Sequence, residues 1–188
     1  MSQEYQHLYH EFGPLYDENS KILILGSFPS VKSREVNFYY GHPQNRFWRI
    51  IRAIFDEKVY DEAMNGGAVA LPENLEEKKR LILENHLALW DTIDQCSIIG
   101  SQDSTIKDVK VSDFPALLSK CDIVKICCNG TASYNFFMKY AYENVKKYYT
   151  SSGGKVPDIV KLPSTSPANA AWRLPRLIEA WSKEIQKK

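Results

Sequence analysis

The chain has 188 residues, 44% hydrophobic and 25% charged, with a formal net charge of +1. That is enough apolar material for one compact domain spanning residues 1–188. No apolar run approaches the roughly 20 residues of a membrane span, and the polar start MSQEYQHLYH does not read as a signal peptide; the expectation is a cytoplasmic protein with no membrane association.

Cys96, Cys121, Cys127 and Cys128 lack CxxC spacing and fit reduced, mostly buried thiols, so neither a metal nor any other cofactor is expected. Residues 1–94 carry 10 Lys/Arg and 15 Asp/Glu, a net of −5, whereas residues 95–188 carry 14 and 8, a net of +6. The basic half suits a polyanion if its cations converge, and is a solvated surface otherwise.

Residues 1–20, aromatic and acidic with a break at Gly13-Pro14, are expected to wrap the domain, with His7 and His10 inert on the surface. Ile22 to Leu25 is a short apolar run bounded by a glycine, which predicts a strand covered on both faces. Gly26-Ser27-Phe28-Pro29-Ser30 then turns the chain. A polar and aromatic loop leads to Asn45, behind which Phe47, Ile50, Ile51 and Ile54 mark one face of a helix.

Asp56 to Pro72 reads as a loop. A helix from Glu73 follows, with Leu75, Ile82 and Leu83 on its apolar face. Leu87 to Asp91 is a short strand, and Ile99 to Thr105 a cluster of turn formers and hydroxyls. Ser112-Asp113 opens a short helix ending near Lys120. Asp122 to Cys128 predicts a second buried strand, and Asn129-Gly130-Thr131 leads into a helix presenting Tyr134, Phe137, Met138 and Ala141. Tyr148-Tyr149 is expected to be extended, before a Ser151–Gly154 turn. Asp158 to Leu162 is the last strand, Pro163 to Asn169 a loop, and Leu174, Leu177, Ile178, Trp181 and Ile185 face inward from a closing helix. Strands alternating with helices predict an α/β fold with a mainly parallel central sheet and helices on both faces, a three-layer α/β/α arrangement.

The sequence has no P-loop, GxSxG, HExxH or GxGxxG. Instead, the Gly26–Pro29 turn, the Tyr39–Asn45 loop and the Ser164–Asn169 loop follow strands or lie beside one. They are expected to share one rim at the carboxyl ends of the strands, where open α/β sheets bind ligands. Stacking aromatics, an amide and an imidazole together suit a planar heterocycle.

In this order GSFPS, YYGHPQNRFW, a strand ending in NG, and STSPAN resemble the uracil-DNA glycosylase superfamily over nearly the whole chain. In its mismatch-specific branch the first motif is G-I-N-P-G with a catalytic asparagine; here Phe28 holds that position. The hypoxanthine-DNA glycosylase family also lacks that asparagine and carries its catalytic one in an H-P-x-N-x-F-W segment, matched here by His42-Pro43-Gln44-Asn45-Arg46-Phe47-Trp48. The DSxI portion of Asp103-Ser104-Thr105-Ile106 and the segment Ser164–Ala168 are similar to the same branch. Ser166 stands where many members of the superfamily have a histidine.

The resemblance implies a monomeric DNA glycosylase excising deaminated bases, hypoxanthine first and uracil second, from double-stranded DNA, without metal or cofactor, by base flipping and hydrolysis of the N-glycosidic bond. Asn45 inherits the catalytic role, holding the base or positioning water. Gly26, Ser27, Phe28, Tyr40, His42 and Ser166 form the base pocket, with Tyr40 stacking on the base. Ser104, Ser164, Pro167, Ala168 and Asn169 touch DNA, with Trp172 as a helper. Plainer roles stand beside these: Asn45 as a helix cap, Tyr39 and Tyr40 as core aromatics, His42 holding its loop, Ser166 and Asn169 capping the last helix. Other readings are a uracil- or mismatch-directed enzyme, a damaged-DNA-binding protein without chemistry, and a hydrolase of free nucleosides.

Overall fold

The computed structural model describes residues 4–186. Its strands are β1 (Gln6–Tyr9), β2 (Ile22–Gly26), β3 (Leu87–Asp91), β4 (Ile93–Ile98), β5 (Lys107–Val111), β6 (Lys125–Asn129) and β7 (Asp158–Leu162). Its helices are α1 (Val31–Glu35), α2 (Phe47–Phe55), α3 (Glu57–Met64), α4 (Leu75–Leu83), α5 (Phe114–Leu118), α6 (Thr131–Phe136), α7 (Tyr142–Ser151) and α8 (Leu174–Ile185). A π-helical turn, Phe137–Ala141, joins α6 to α7.

The central sheet is parallel throughout, in the order β3-β2-β6-β7. The alternation of side chains along β2 decides what covers it. Ile22 and Ile24 point into a core built with Phe47, Trp48, Ile50, Ile51 and Ile54 of α2, Ile82 of α4 and Leu177, Ile178 and Trp181 of α8. Leu23 and Leu25 point the other way, onto Phe114 and Leu117 of α5, Phe137, Ala141, and Val145 and Tyr149 of α7. Because both faces are buried, β2 is apolar at every side chain, and the expected α/β/α layering follows. Each large apolar side chain removed from water in these two layers contributes roughly 1.5–3 kcal/mol.

Five local expectations differ from the structure. The stretch Asp56 to Pro72, read as a loop, contains α3, which the Asp56 side chain caps by accepting from Val59 N–H and which Ala63 anchors in the core. Tyr148 and Tyr149 lie in α7: Val145 and Tyr149, one turn apart, share its buried face, and the Tyr149 hydroxyl donates to the Ile123 carbonyl at 2.8 Å. Leu75 is 44% exposed at the start of α4, which is capped by Asn74, so Ile82 carries the burial of that helix. The third strand of the central sheet begins at Lys125 rather than Asp122, because Val124 N–H is still bonded to the Lys21 carbonyl. Finally, β1, β4 and β5 form a separate antiparallel sheet in the order β1-β4-β5. It covers a small third core of Phe28, Ile93, Cys96 and Ile98.

Candidate active site

The four parallel strands end on one rim, and each end delivers polar groups to a single cavity of about 290 Å³. Gly26, Ser27 and Phe28 come from β2, Asp91 from β3, Asn129 from β6, and Ser164, Thr165, Ser166 and Pro167 from the loop after β7. The β2–α2 connection adds Tyr40, His42 and Asn45.

Gly26 is glycine for a steric reason. A Cβ there would overlap the Asp91 carboxylate, with the Tyr40 hydroxyl 3.8 Å from the same point. Its carbonyl accepts from Thr92 N–H at 3.0 Å, and Ser27 carbonyl from Ile93 N–H at 3.1 Å, which fixes the turn against β4. The Ser27 hydroxyl donates to Asp103 Oδ1 at 2.8 Å, while burial pushes the Asp103 carboxyl up from its ordinary value and the Ser27 bond pulls it back. Phe28, 8% exposed, is the wall between the cavity and the third core.

Asn45 has its amide orientation set by chemistry. Its Oδ1 accepts from Phe47 N–H, which can only donate, and from the Thr165 hydroxyl, both at 2.9 Å. The oxygen is therefore occupied, and Nδ2 remains as the group offered to the cavity. Thr165 is wholly buried and acts as a relay, because its Oγ1 also accepts from Asn129 Nδ2 at 2.9 Å. Asn129 Oδ1 takes Thr165 N–H at 2.9 Å. Capping does not use up Asn45: the oxygen serves the start of α2 and the side chain still lines the cavity. At Gly130, φ is +95° and a Cβ would stand 2.8 Å from Ser164 Cβ, so only glycine lets the β7 loop come this close.

The two loops carrying these groups are pinned from the core. Trp48 Nε1 donates to the Tyr39 carbonyl at 3.1 Å, and Trp181 Nε1 to the Pro163 carbonyl at 3.0 Å. Arg46, between Asn45 and Phe47, spreads its guanidinium over the carbonyls of Thr165, Ser166, Asn169 and Trp172. Tyr39 is core, 2% exposed, with its hydroxyl on the Gly13 carbonyl. Tyr40 sits in the left-handed region at φ +52°, unusual for an aromatic residue, and stacks on Phe47 at 3.8 Å between ring centroids. Its hydroxyl is buried with no hydrogen-bond partner among the described residues, and burial, reinforced by Asp91, raises its pKa far above the usual tyrosine range. His42 Nδ1 accepts from Gln44 N–H at 3.2 Å, which leaves Nε2 to carry the ring proton.

His10 is not an inert surface residue. Its Nε2 is 2.9 Å from Asp91 Oδ2, and the two side chains are 2% and 7% exposed. The imidazole is enclosed by Phe12, Phe28 and Tyr39. Asp91, Asn129, Thr165 and Arg46 are the site residues that sequence reasoning missed. For Asp91 a signal existed: an acid closing the apolar run Leu87 to Trp90 stands at the carboxyl end of a buried strand.

Of the predicted pocket residues, Gly26, Ser27, Phe28, Tyr40, His42, Asn45 and Ser166 are brought together around the cavity, joined by Ser164 and Pro167. Ser104 and Ala168 are exposed and, like Asn169, lie outside the cavity lining; Asn169 Nδ2 holds the Ser164 carbonyl at 2.9 Å. Trp172 is half-buried with the Arg176 guanidinium 4.0 Å over its ring. In the basic half, Lys110, Lys125, Lys146 and Lys155 are within 4 Å of carboxylates, which reduces the charge free to face a polyanion. The cysteines are all buried and free, and burial raises Cys96 to about 11 and Cys127 and Cys128 to about 12. No described helix is long and apolar enough to cross a membrane.

A parallel sheet whose strand ends converge on a base-sized cavity, with an oriented asparagine at the start of a helix, is the arrangement of a base-excising enzyme. Residues 14–185 match the family model described as the uracil DNA glycosylase superfamily, and the chain belongs to that superfamily. It is 38% identical over 120 residues to a hypoxanthine DNA glycosylase of Methanosarcina acetivorans, covering 63% of this chain and 69% of the relative. It is 35% identical over 123 residues to a hypoxanthine DNA glycosylase of Methanosarcina barkeri, covering 65% and 71%. A solution NMR structure of a Methanosarcina acetivorans protein, provisionally classed as a uracil DNA glycosylase, aligns with TM-score 0.64 and 32% identity over 93% of this chain and 94% of that one.

Proposed function

We propose that this DNA glycosylase excises hypoxanthine, and uracil as a second substrate, from double-stranded DNA, acting as a monomer on a base flipped into the cavity. The observation that carries the reading is the Asn45 amide, whose oxygen is held by Phe47 N–H and Thr165 so that Nδ2 is presented as a donor. A donor suits a leaving base, which gathers negative charge as the glycosidic bond lengthens; an occupied oxygen suits water activation poorly. Of the two roles open to Asn45, holding the base is therefore the one supported.

The start of α2 adds to this. Its free N–H groups and helix dipole carry about half a positive charge, and Asn45 stands two residues before Phe47, the first residue of that helix. His42 Nε2–H is a second donor on the cavity wall. Such preorganised donors stabilise a departing anion without a strong acid. Pro167 and Asn45 both line the cavity, whose volume of about 290 Å³ suits a single base, so the nucleotide has to leave the stack to reach Asn45, at a cost of a few kcal/mol. Ser104, Ser164, Pro167, Ala168 and Asn169 are proposed to meet the DNA backbone around the opening.

The test is excision from end-labelled duplexes holding one hypoxanthine, one uracil or only normal bases, followed by alkaline cleavage, with wild type beside Asn45→Ala. Cleavage at hypoxanthine by wild type alone is expected. Duplex binding without cleavage at any damaged base, from folded protein, sinks the enzymatic reading in favour of a binding protein. Faster cleavage at uracil than at hypoxanthine reverses the substrate order.

A further inference from the structure

Holding the base leaves the other half of the hydrolysis unassigned. The water that attacks the sugar has to give up a proton, and Asn45 Oδ1, already accepting from Phe47 N–H and the Thr165 hydroxyl, is poorly suited to take it. His42 Nδ1 accepts from Gln44 N–H, so the imidazole meets the cavity as a donor. Burial keeps the Tyr40 hydroxyl protonated. The Asp91 side chain is 7% exposed and has His10 on Oδ2. Asp103 is situated differently. It opens the short 3-10 turn Asp103–Thr105 in the β4–β5 connection and lines the cavity, half-buried between exposed Gln102 and Ser104. Its Oδ1 accepts from the Ser27 hydroxyl at 2.8 Å, which ties the carboxylate to the turn after β2. Its Oδ2 has no hydrogen-bond partner among the described residues, and no described Lys, Arg or His nitrogen stands within 4 Å of the carboxylate. One oxygen is anchored and the other is available, as a proton acceptor requires.

We propose that Asp103 is a catalytic residue, the general base that takes the proton of the attacking water; the inference rests on the glycosylase reading of the site. A nucleotide that enters base first keeps its sugar nearer the opening than its base, level with the exposed loop that carries Asp103 rather than with buried Asp91. The water oxygen bonds to C1′ of the deoxyribose as the bond from C1′ to the base breaks. The bonding electron pair leaves with the base, and the proton of the water passes to Asp103 Oδ2. Negative charge on Asp103 also suits a sugar that turns cationic while the bond lengthens. Burial, the larger effect, raises the Asp103 carboxyl; the Ser27 bond lowers it and nearby Asp91 raises it further. A raised carboxyl is the stronger base. The other titratable groups around it are Cys96 of β4, itself beside Arg34 of α1, and His42 on the cavity wall.

The test uses the full chain on duplexes holding one hypoxanthine, under single-turnover conditions, with dissociation constants measured beside it on a hypoxanthine duplex whose 2′-fluoro sugar resists cleavage. In Asp103→Asn, shown to be folded by its melting temperature, excision is expected to fall about 100-fold or more while binding changes by less than about threefold. A carboxyl raised above its ordinary value is at least half protonated by about pH 4, so the advantage of wild type over Asp103→Asn, full near pH 8, should shrink about twofold or more by about pH 4. Should that variant not fold, Asp103→Ser, smaller and uncharged, carries the same comparison. A folded Asp103 variant that excises at the wild-type rate overturns the inference. So does a loss of excision matched by an equal loss of binding, or a wild-type advantage unchanged down to about pH 4. Failure of wild type to excise hypoxanthine brings down the glycosylase reading and this inference together. Excision by wild type and folded variant alike brings down this inference alone.

Discussion

Thr165→Val tests the relay that aims Asn45. Valine keeps the shape of threonine but has no hydroxyl, and the position is wholly buried, so water cannot take the place of Oγ1. Two bonds disappear, Asn129 Nδ2 to Thr165 Oγ1 and Thr165 Oγ1 to Asn45 Oδ1, each 2.9 Å long. Asn45 Oδ1 keeps Phe47 N–H, whereas the proton of Asn129 Nδ2 that pointed at Thr165 loses its acceptor. A buried polar group left unpaired costs about 1–3 kcal/mol, so a loss of about 2 kcal/mol is expected. For a domain of this size that corresponds to roughly 4–8 °C in melting temperature. Freed on one side, the Asn45 amide samples orientations that do not face the base, and single-turnover excision of hypoxanthine should fall about 10- to 100-fold. Thr165→Ser restores the hydroxyl and should recover most of both losses. Wild-type excision by a destabilised Thr165→Val protein would refute the relay, because the cost would then be one of folding only.

Asn45→Ala should abolish excision while costing only about 1 kcal/mol of stability, the usual worth of the Phe47 N–H cap it removes; urea unfolding beside the cleavage assay checks both. Gly26→Ala should remove activity and lower the melting temperature, since its methyl group has to displace the buried Asp91 carboxylate; an active, stable Gly26→Ala protein would contradict the close approach. Arg46→Ala strips the carbonyls of Thr165, Ser166, Asn169 and Trp172 of a common donor, so amide exchange should accelerate across residues 164–172 well before it does in β2. Alkaline pH should destabilise the protein. Burial holds Cys96 at about 11 and Cys127 and Cys128 at about 12, above their unfolded values near 9, so the stability they carry is complete below about pH 9 and is lost as pH rises toward 11–12. A urea midpoint that stayed flat from pH 8 to 11 would count against that burial.

The parts of the fold legible in the sequence are those in which one segment settles its own environment. Ile22 to Leu25 reads as a strand because helices cover both of its faces, and α2 reads as a helix because Phe47, Ile50, Ile51 and Ile54 repeat with its turn. The antiparallel sheet was not legible. Lys107–Val111 is mostly exposed, Gln6–Tyr9 likewise, and the β4–β5 register shifts twice, so neither strand shows a clean alternation. The site divides in the same way. Asn45, His42 and the Ser164–Pro167 segment announce themselves as motifs, while His10 and Asp91 are separated by 81 positions and meet only once the sheet has formed. Tyr148-Tyr149 misled because adjacent aromatics favour strands, although Val145 placed Tyr149 on a helical face.

The cavity draws on residues near 26, 40, 45, 91, 129 and 165, with no two neighbouring strand ends contributing from one stretch of chain. During synthesis the Asn45 segment is made early, but Thr165, the hydroxyl that aims it, and the carbonyls that Arg46 gathers belong to the last fifth of the sequence. A nascent or truncated chain lacking β7 and its loop therefore has Asn45 without the hydroxyl that orients its amide. The geometry of the cavity is therefore completed only when β7 and its loop join the sheet, however early the Asn45 segment is made.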